Sequence, residues 1–436
     1  MDGGAPGQGQ VPAQGQALGY GAAGPAHAGW SPGADAAVAG PRLVASSGTS
    51  LQPPPGWVLV DDVTGTGARA PAVALADASG RHVAAQLDLR RLRSGGPGTV
   101  IGWGASSAPT SGSADELLEQ AARSRVAAAL AEDPYSVLLD ARTVSVRTDR
   151  GRQVTAVRLD VVEHDMTTPV VRTSILVPGA GAGAGAGAGW VDEVSATVPV
   201  AHHRALVQAL EEALASVTLA DAAAPHGAAA ASPEVSATSS VHPAQHAWLV
   251  TLDQDRWYVP PEAWLGAEEL DVFVRGSHRL APAHRPGPVR AGLLTPDGRA
   301  TTTGELVRRA VHRPDVRVHV RAAHPADGLA SMVVDRVGTW AVIRSTPPPG
   351  ALAPGQPPAA HRYVEVVDLA AAPARVVAWT STGPGRAFRT VDGTVLSLGA
   401  SRPGEGWGSR HVGPAVPLEP WLGPRDVWHG VLAALG

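Results

Sequence analysis

The sequence predicts an α+β protein, with two blocks of antiparallel sheet and flanking helices behind a disordered N-terminal tail. Three observations carry this. Short runs alternate between apolar and polar residues, as where Val316, Val318 and Val320 are set against Arg317, His319 and Arg321. Helical stretches interrupt these runs, and two of them are stopped by Pro134 and Pro314, which can neither donate a backbone hydrogen bond nor continue a helix. A stretch rich in Ala, Ser and Pro, residues 221–243, reads as the linker between a block at 51–220 and a block at 244–436.

Residues 1–50 are mainly Gly, Ala, Pro, Gln and Ser, too poor in large apolar side chains to offset their ordering entropy, and read as the disordered tail. Trp57 to Val60, Ala72 to Leu75 and Val83 to Leu87 read as short strands. Ser113 and Glu116 have the spacing of a capping box, which opens a helix running to about Ala131. A three-stranded meander follows: Val137 to Val146, Val154 to Val162 and Val170 to Val177, with a turn at Asp149-Arg150-Gly151. The Gly-Ala run 179–189 is a flexible loop, and Trp190 to Val198 is a further strand. His202 to Val217 is an amphipathic helix with Leu206, Leu210, Leu214 and Val217 on one face.

The second block begins with a strand from Trp248 to Leu252. A short helix opened by Pro260-Pro261 then carries Trp264, Leu265 and Leu270. A turn at Pro296-Asp297-Gly298 precedes a helix in which Thr302 and Glu305 have capping-box spacing and Leu306, Ala310 and Val311 mark the apolar face. After the strand of alternating valines, Met332 to Val334 and Trp340 to Ile343 form a hairpin across Val337-Gly338-Thr339. Tyr363 to Leu369, Arg375 to Thr380, Ala387 to Thr390 and Val395 to Leu398 read as strands, the last pair joined at Asp392-Gly393, and Asp426 to Leu435 as a closing helix. The path from Ser124 to Val146 echoes that from Glu305 to Val320: helix, proline stop, alternating strand. This admits a pseudo-repeat, although such units also recur without common descent.

Composition excludes much chemistry. The 436 residues contain no Cys, Lys or Asn. There is therefore no thiolate nucleophile, disulfide, iron–sulfur cluster or thiolate zinc site, and no Walker A lysine, Schiff base or Ser/Lys dyad. The part before Val241 has 15 Arg against 22 acids and the rest 20 against 17, giving −7 and +3; neither is the concentrated basic charge of a nucleic-acid binder. No run approaches the length that crosses a bilayer, and the start has no secretory pattern, so the expected location is the cytoplasm.

Sixteen histidines raise the question of a metal. His202 and His203, adjacent on a helix, point too far apart to share a metal, and of the cluster His312, His319 and His324, His319 alternates onto the solvated face of Arg317 and Arg321, so no metal or cofactor is expected. Asp160, Glu163 and Asp165 form a possible carboxylate pair at a hairpin end, where acids are ordinarily solvated. Gly65-Thr66-Gly67 and Gly96-x-Gly98 lack the dinucleotide-binding context. Twelve Trp against six Phe and Tyr give tryptophan the anchoring role, with Trp257, Trp264, Trp407 and Trp421 as candidate partner-binding residues beside the plainer reading of core.

The second block also carries a family resemblance. Glu268-Glu269-Leu270, Gly292-Leu293-Leu294, Glu305-Leu306-Val307-Arg308-Arg309-Ala310, Arg313-Pro314-Asp315-Val316-Arg317-Val318-His319-Val320 and the hairpin through Gly338-Thr339-Trp340-Ala341-Val342 follow one another in an order that resembles the EspG family of type VII (ESX) secretion-associated proteins. The resemblance spans about 245–436. It implies an antiparallel sheet with flanking helical bundles in two pseudo-symmetric halves, and a cytosolic, non-enzymatic chaperone of helical PE/PPE-type secretion substrates. More than 240 residues precede the match, and the region after Ile343 is broken by Pro and Gly where the family carries more helix, so no functional residue transfers individually.

The function expected is thus a chaperone or adaptor that takes an amphipathic helix. The alternatives are a hydrolase-like enzyme whose His and carboxylate groups meet only on folding, and an architectural protein whose two blocks pack together.

Overall fold

The computed structural model describes residues 42–44, 48–60, 72–76, 83–93, 114–165, 168–179, 190–220, 248, 249, 252, 263–276, 280–324, 328–347, 361–380, 395–401, 416, 417 and 424–436. The chain is α+β, and its described residues form two sheets.

The first sheet is built from β1 (Leu43–Val44), β2 (Ser50–Leu51), β3 (Val58–Val60), β4 (Ala72–Ala76), β5 (Val83–Arg93), β6 (Val137–Thr148), β7 (Gln153–Asp165), β8 (Thr168–Pro178), β9 (Trp190–Pro199) and β10 (Thr218–Leu219). Its strand order is β1-β2-β10-β6-β7-β8-β9-β5-β4-β3, antiparallel except where β10 meets β6. The β6–β7 turn closes through Gly151, at φ 82°, whose N–H donates to the Thr148 carbonyl at 2.9 Å.

Two helices cover opposite faces of this sheet. From α1 (Ala114–Glu132), Leu117, Leu118, Ala122 and Val126 pack on Leu138, Val157, Leu159 and Leu176. From α2 (Val200–Ala215), Leu206, Leu210 and Leu214 pack on Ala156, Ile175, Val194 and Ala196. With both faces covered, β6 to β9 bury nearly every apolar side chain, each Val, Leu or Ile contributing about 1.5–3 kcal/mol.

The second sheet has the order β11-β15-β14-β13-β12-β16-β17, all antiparallel. Its strands are β11 (Trp264–Gly266), β12 (Val316–His324), β13 (Gly328–Val337), β14 (Trp340–Ser345), β15 (His361–Asp368), β16 (Val395–Ser401) and β17 (Val416–Pro417). On one face lie α3 (Ala267–Arg275), α4 (Pro286–Arg290) and α5 (Thr302–His312), where Leu270, Phe273, Val307 and Ala310 meet Val337, Val342 and Val364. On the other lie α6 (Ala372–Thr380) and α7 (Pro424–Leu435). Val316, Val318 and Val320 line that buried face, as their alternation predicts. Gly304 is needed on steric grounds: a Cβ there would collide with the Leu293 carbonyl oxygen.

The halves share one order. In the first, β5, α1, the meander β6 to β9, α2 and β10 follow in sequence, with β9 pairing back to β5 and β6 to β10. In the second, β11 leads through α3 and α4 to α5, and the meander β12 to β15, α6 and β16 follow, with β15 pairing to β11 and β16 to β12, the last antiparallel where β10 runs parallel to β6. A common core joins them: Val137, Leu139, Val162, Val171 and Val200 of the first half cluster with α6, α7 and the valine face of β12.

Several expectations are corrected. Arg375 to Thr380 is helical, within α6, because it is apolar and buried on nearly every side and so shows no period by which strand and helix could be told apart. Trp248 and Leu249 form a 3₁₀ turn closed by a bond from Leu252 N to Leu249 O at 3.2 Å, in place of a strand. Trp264 and Leu265 belong to strand β11, held by pairing with β15, and the helix starts only at Ala267. The cap of α5 is Thr301, one residue earlier than expected, whose Oγ1 accepts from Gly304 N at 3.0 Å. The tail reading runs too far, since Leu43 and Ser50 are buried in the paired strands β1 and β2 at the sheet edge. The linker 221–243, the strand 387–390 and most of the tail lie outside the described residues.

Candidate functional site

The polar groups with most to do gather where the halves meet. Arg158 and Asp160 alternate onto one face of β7, and Glu211 and His203, two turns apart on α2, lie over them. The Arg158 guanidinium donates a fork to Glu211, Nη1 to Oε2 and Nη2 to Oε1, both at 2.6 Å, and its Nε donates to Asp160 Oδ1 at 3.0 Å. Burial works against this cation, but Glu211 and Asp160 raise its pKa further. The same fork outweighs burial at Glu211 and holds that carboxyl below its usual range.

The second half reaches this network through α7. Arg425 Nη1 stands 3.4 Å from Asp160 Oδ2 and 3.7 Å from Asp140 Oδ2, and its Nη2 stands 3.7 Å from Glu211 Oε1. Burial raises the Asp140 pKa despite Arg142 and Arg425 nearby. One turn along, Trp428 is fully buried and its ring meets His203 edge-on at 5.1 Å and His429 at 4.9 Å. Burial, with His429 and Arg425 beside it, pushes His203 down to about 4. A cleft of about 530 Å³ opens beside the fork, lined by Ser145, Arg147, Arg158, Glu211, Ser216 and Thr218 among others.

A second junction cluster uses β15 and α6. The Arg375 guanidinium lies 3.3 Å over the Tyr135 ring, and its Nε is 3.3 Å from Glu365 Oε2, which also accepts from the Tyr363 hydroxyl. Burial and Glu365 raise the Tyr363 pKa. Nearby, Asp133 Oδ2 is 2.6 Å from His164 Nδ1, a pairing that also occurs in hydrolytic triads. Here Ser136 Oγ bonds the same Asp133 oxygen at 3.3 Å, so the hydroxyl is on the carboxylate and not on the far nitrogen of the imidazole, where it would be activated.

The sequence candidates are dispersed. Trp264 is partly buried against the joint core, 6.3 Å from the Tyr363 ring, with its carbonyl accepting from Arg290 Nη2 at 3.0 Å. Trp257, Trp407 and Trp421 lie outside the described residues. Asp160 and Glu163 face opposite sides of β7, Glu163 pairing with Arg125 and Arg172, so they form no carboxylate pair. His312 Nε2 lies 3.3 Å from the Val274 carbonyl oxygen and His319 is exposed. Among the described residues no three His, Asp or Glu side chains gather as a metal would need, and no helix is long and apolar enough to cross a membrane. Sequence reading missed Arg425, which carries no local signal, and the exposure of Trp340 at 43%, which its place beside the two-residue turn Gly338-Thr339 could have suggested.

No protein-family model matches the chain, and no curated protein does. Among solved structures it is similar to the Ran-binding protein Mog1p of Saccharomyces cerevisiae, determined at 1.9 Å, at 15% identity and a TM-score of 0.26, over 42% of this chain and 95% of that one. A likeness of that degree bears on neither the fold nor the activity of this chain.

Proposed function

We propose that the protein is a non-enzymatic cytoplasmic chaperone or adaptor that holds a helical polypeptide, as EspG-type proteins do for PE/PPE-type substrates of type VII secretion. The observation that carries this reading is the order strand, helix, four-stranded meander, helix, strand, which the two sheets share apart from the added α3 and α4 and the opposite direction of the last strand, because two pseudo-symmetric sheet halves with flanking helices are what the EspG-like run implies. The polar clusters favour it over hydrolysis: at the junction Arg158, Arg425 and Arg375 are each matched to carboxylates, an arrangement that fixes elements in place. Trp340 offers an exposed aromatic at the end of the β13–β14 hairpin, suited to anchoring a partner, and Trp264 is a second candidate.

Co-expression with tagged PE/PPE-type helical pairs tests this. Co-elution of the two in gel filtration after affinity capture is the expected result. Elution of this chain alone in every pairing would refute the reading.

A further inference from the structure

The seat of α7 differs from that of its neighbour α6. Both helices bury a tryptophan completely in the joint core. Trp379 of α6 donates its indole N–H to the Thr346 carbonyl at 2.8 Å, whereas the Trp428 N–H has no acceptor among the described residues. Leaving such a donor unpaired costs about 1–3 kcal/mol. Arg425 reaches its carboxylates only at 3.4 to 3.7 Å, while the Arg158 fork beneath it closes at 2.6 Å. At the other end, Arg336 Nη1 donates to the main-chain carbonyls of Leu435 and Gly436. In between, Val427, Trp428, Val431 and Leu435 are buried in the core to which both halves contribute. Each repeat is complete without α7.

We infer that α7 is a displaceable occupant, held in cis, of a seat that accepts a partner's amphipathic helix. The inference rests on the helix-holding function proposed above. The occupant it fits has the chemistry of α7: a cation near the helix start that meets Asp140, Asp160 and Glu211, followed by an apolar stripe with the spacing of Val427, Trp428, Val431 and Leu435. A partner's helix whose cation closes on Asp140, Asp160 and Glu211 more tightly than Arg425 does can take the place of α7.

Hydrogen exchange on the full chain at neutral pH tests this, because a seat that opens locally exchanges ahead of the global core. The α7 amides should exchange at least about tenfold faster than those of α6, and Arg425→Gln should speed α7 further while α6 stays unchanged. A fluorescent peptide of residues 424–436 should then bind the Arg425→Gln chain about tenfold more tightly than the wild type, whose seat is filled. Equal protection of α7 and α6, or a peptide that binds neither chain, would overturn the inference. The α6 amides report folding of the variant, and the wild-type comparison needs no variant. Because the probe is the chain's own helix, the outcome is independent of whether a secretion substrate is found: peptide binding without any such partner would count against the proposed function alone.

Discussion

Arg375 of α6 lies 3.3 Å over the Tyr135 ring, so that a guanidinium from the second half is clamped by an aromatic from the first while its Nε stays beside Glu365. A buried cation in this position cannot be removed without stranding its carboxylate. Arg375→Ala should therefore destabilise the chain by about 3 kcal/mol or more, read as a lower urea midpoint. Arg375→Lys should restore only part of this, because an ammonium cannot lie flat over the Tyr135 ring as the planar guanidinium does while staying beside Glu365.

A similar argument applies within the second sheet. Asp335 is fully buried between Arg317 on β12 and Arg344 on β14, and Arg317 Nη2 also donates to the Ala310 and Val311 carbonyls at 3.0 and 2.9 Å, capping the end of α5. Asp335→Asn leaves two guanidinium groups without their counter-charge, and thermal unfolding should show a loss of about 3–5 kcal/mol.

The two buried tryptophans separate a hydrogen bond from mere burial. Replacing either by Phe removes comparable apolar area, but only Trp379 gives up a bond and strands the Thr346 carbonyl. Trp379→Phe should cost about 1 kcal/mol more than Trp428→Phe in equilibrium unfolding.

His203 makes the junction sensitive to acid. Burial, with His429 and Arg425 of α7 beside it, brings its pKa from 6.5 to about 4 against the opposing pull of Asp160 on β7 and Glu211 on its own helix. Between those values the unfolded chain binds a proton that the folded chain refuses, so stability falls as pH drops below 6.5 and the loss is complete near 4, at about 3 kcal/mol. His429, lowered by burial, works in the same direction. Asp133 and Glu211, whose pKa values are depressed, contribute stability that is lost as pH falls below their ordinary values of 3.8 and 4.5. His203→Phe should flatten this stretch of the stability profile, as measured by urea midpoints at stepped pH.

What could be read from sequence depended on whether an element shows one face or none to solvent. Val316, Val318 and Val320 were legible because Arg317 and His319 break the apolar run between them. Leu206, Leu210 and Leu214 were legible on α2 for the same reason. Arg375 to Thr380, buried almost all round, left only β-branched and aromatic residues to judge by, and the reading as a strand failed. The junction was illegible for a different cause: Arg425, Arg158, Glu211 and Asp140 come from four separate elements, and ion pairs between distant elements leave no local pattern. Thr301 and Thr302 both fit a cap by type, and only the hydrogen bond to Gly304 chooses between them.

Calorimetric titration of the full chain with a purified PE/PPE-type helical pair tests the central claim most directly. The account predicts saturable binding at one pair per chain with a Kd of about 1 μM or tighter. Absence of binding across such pairs up to about 100 μM would contradict it.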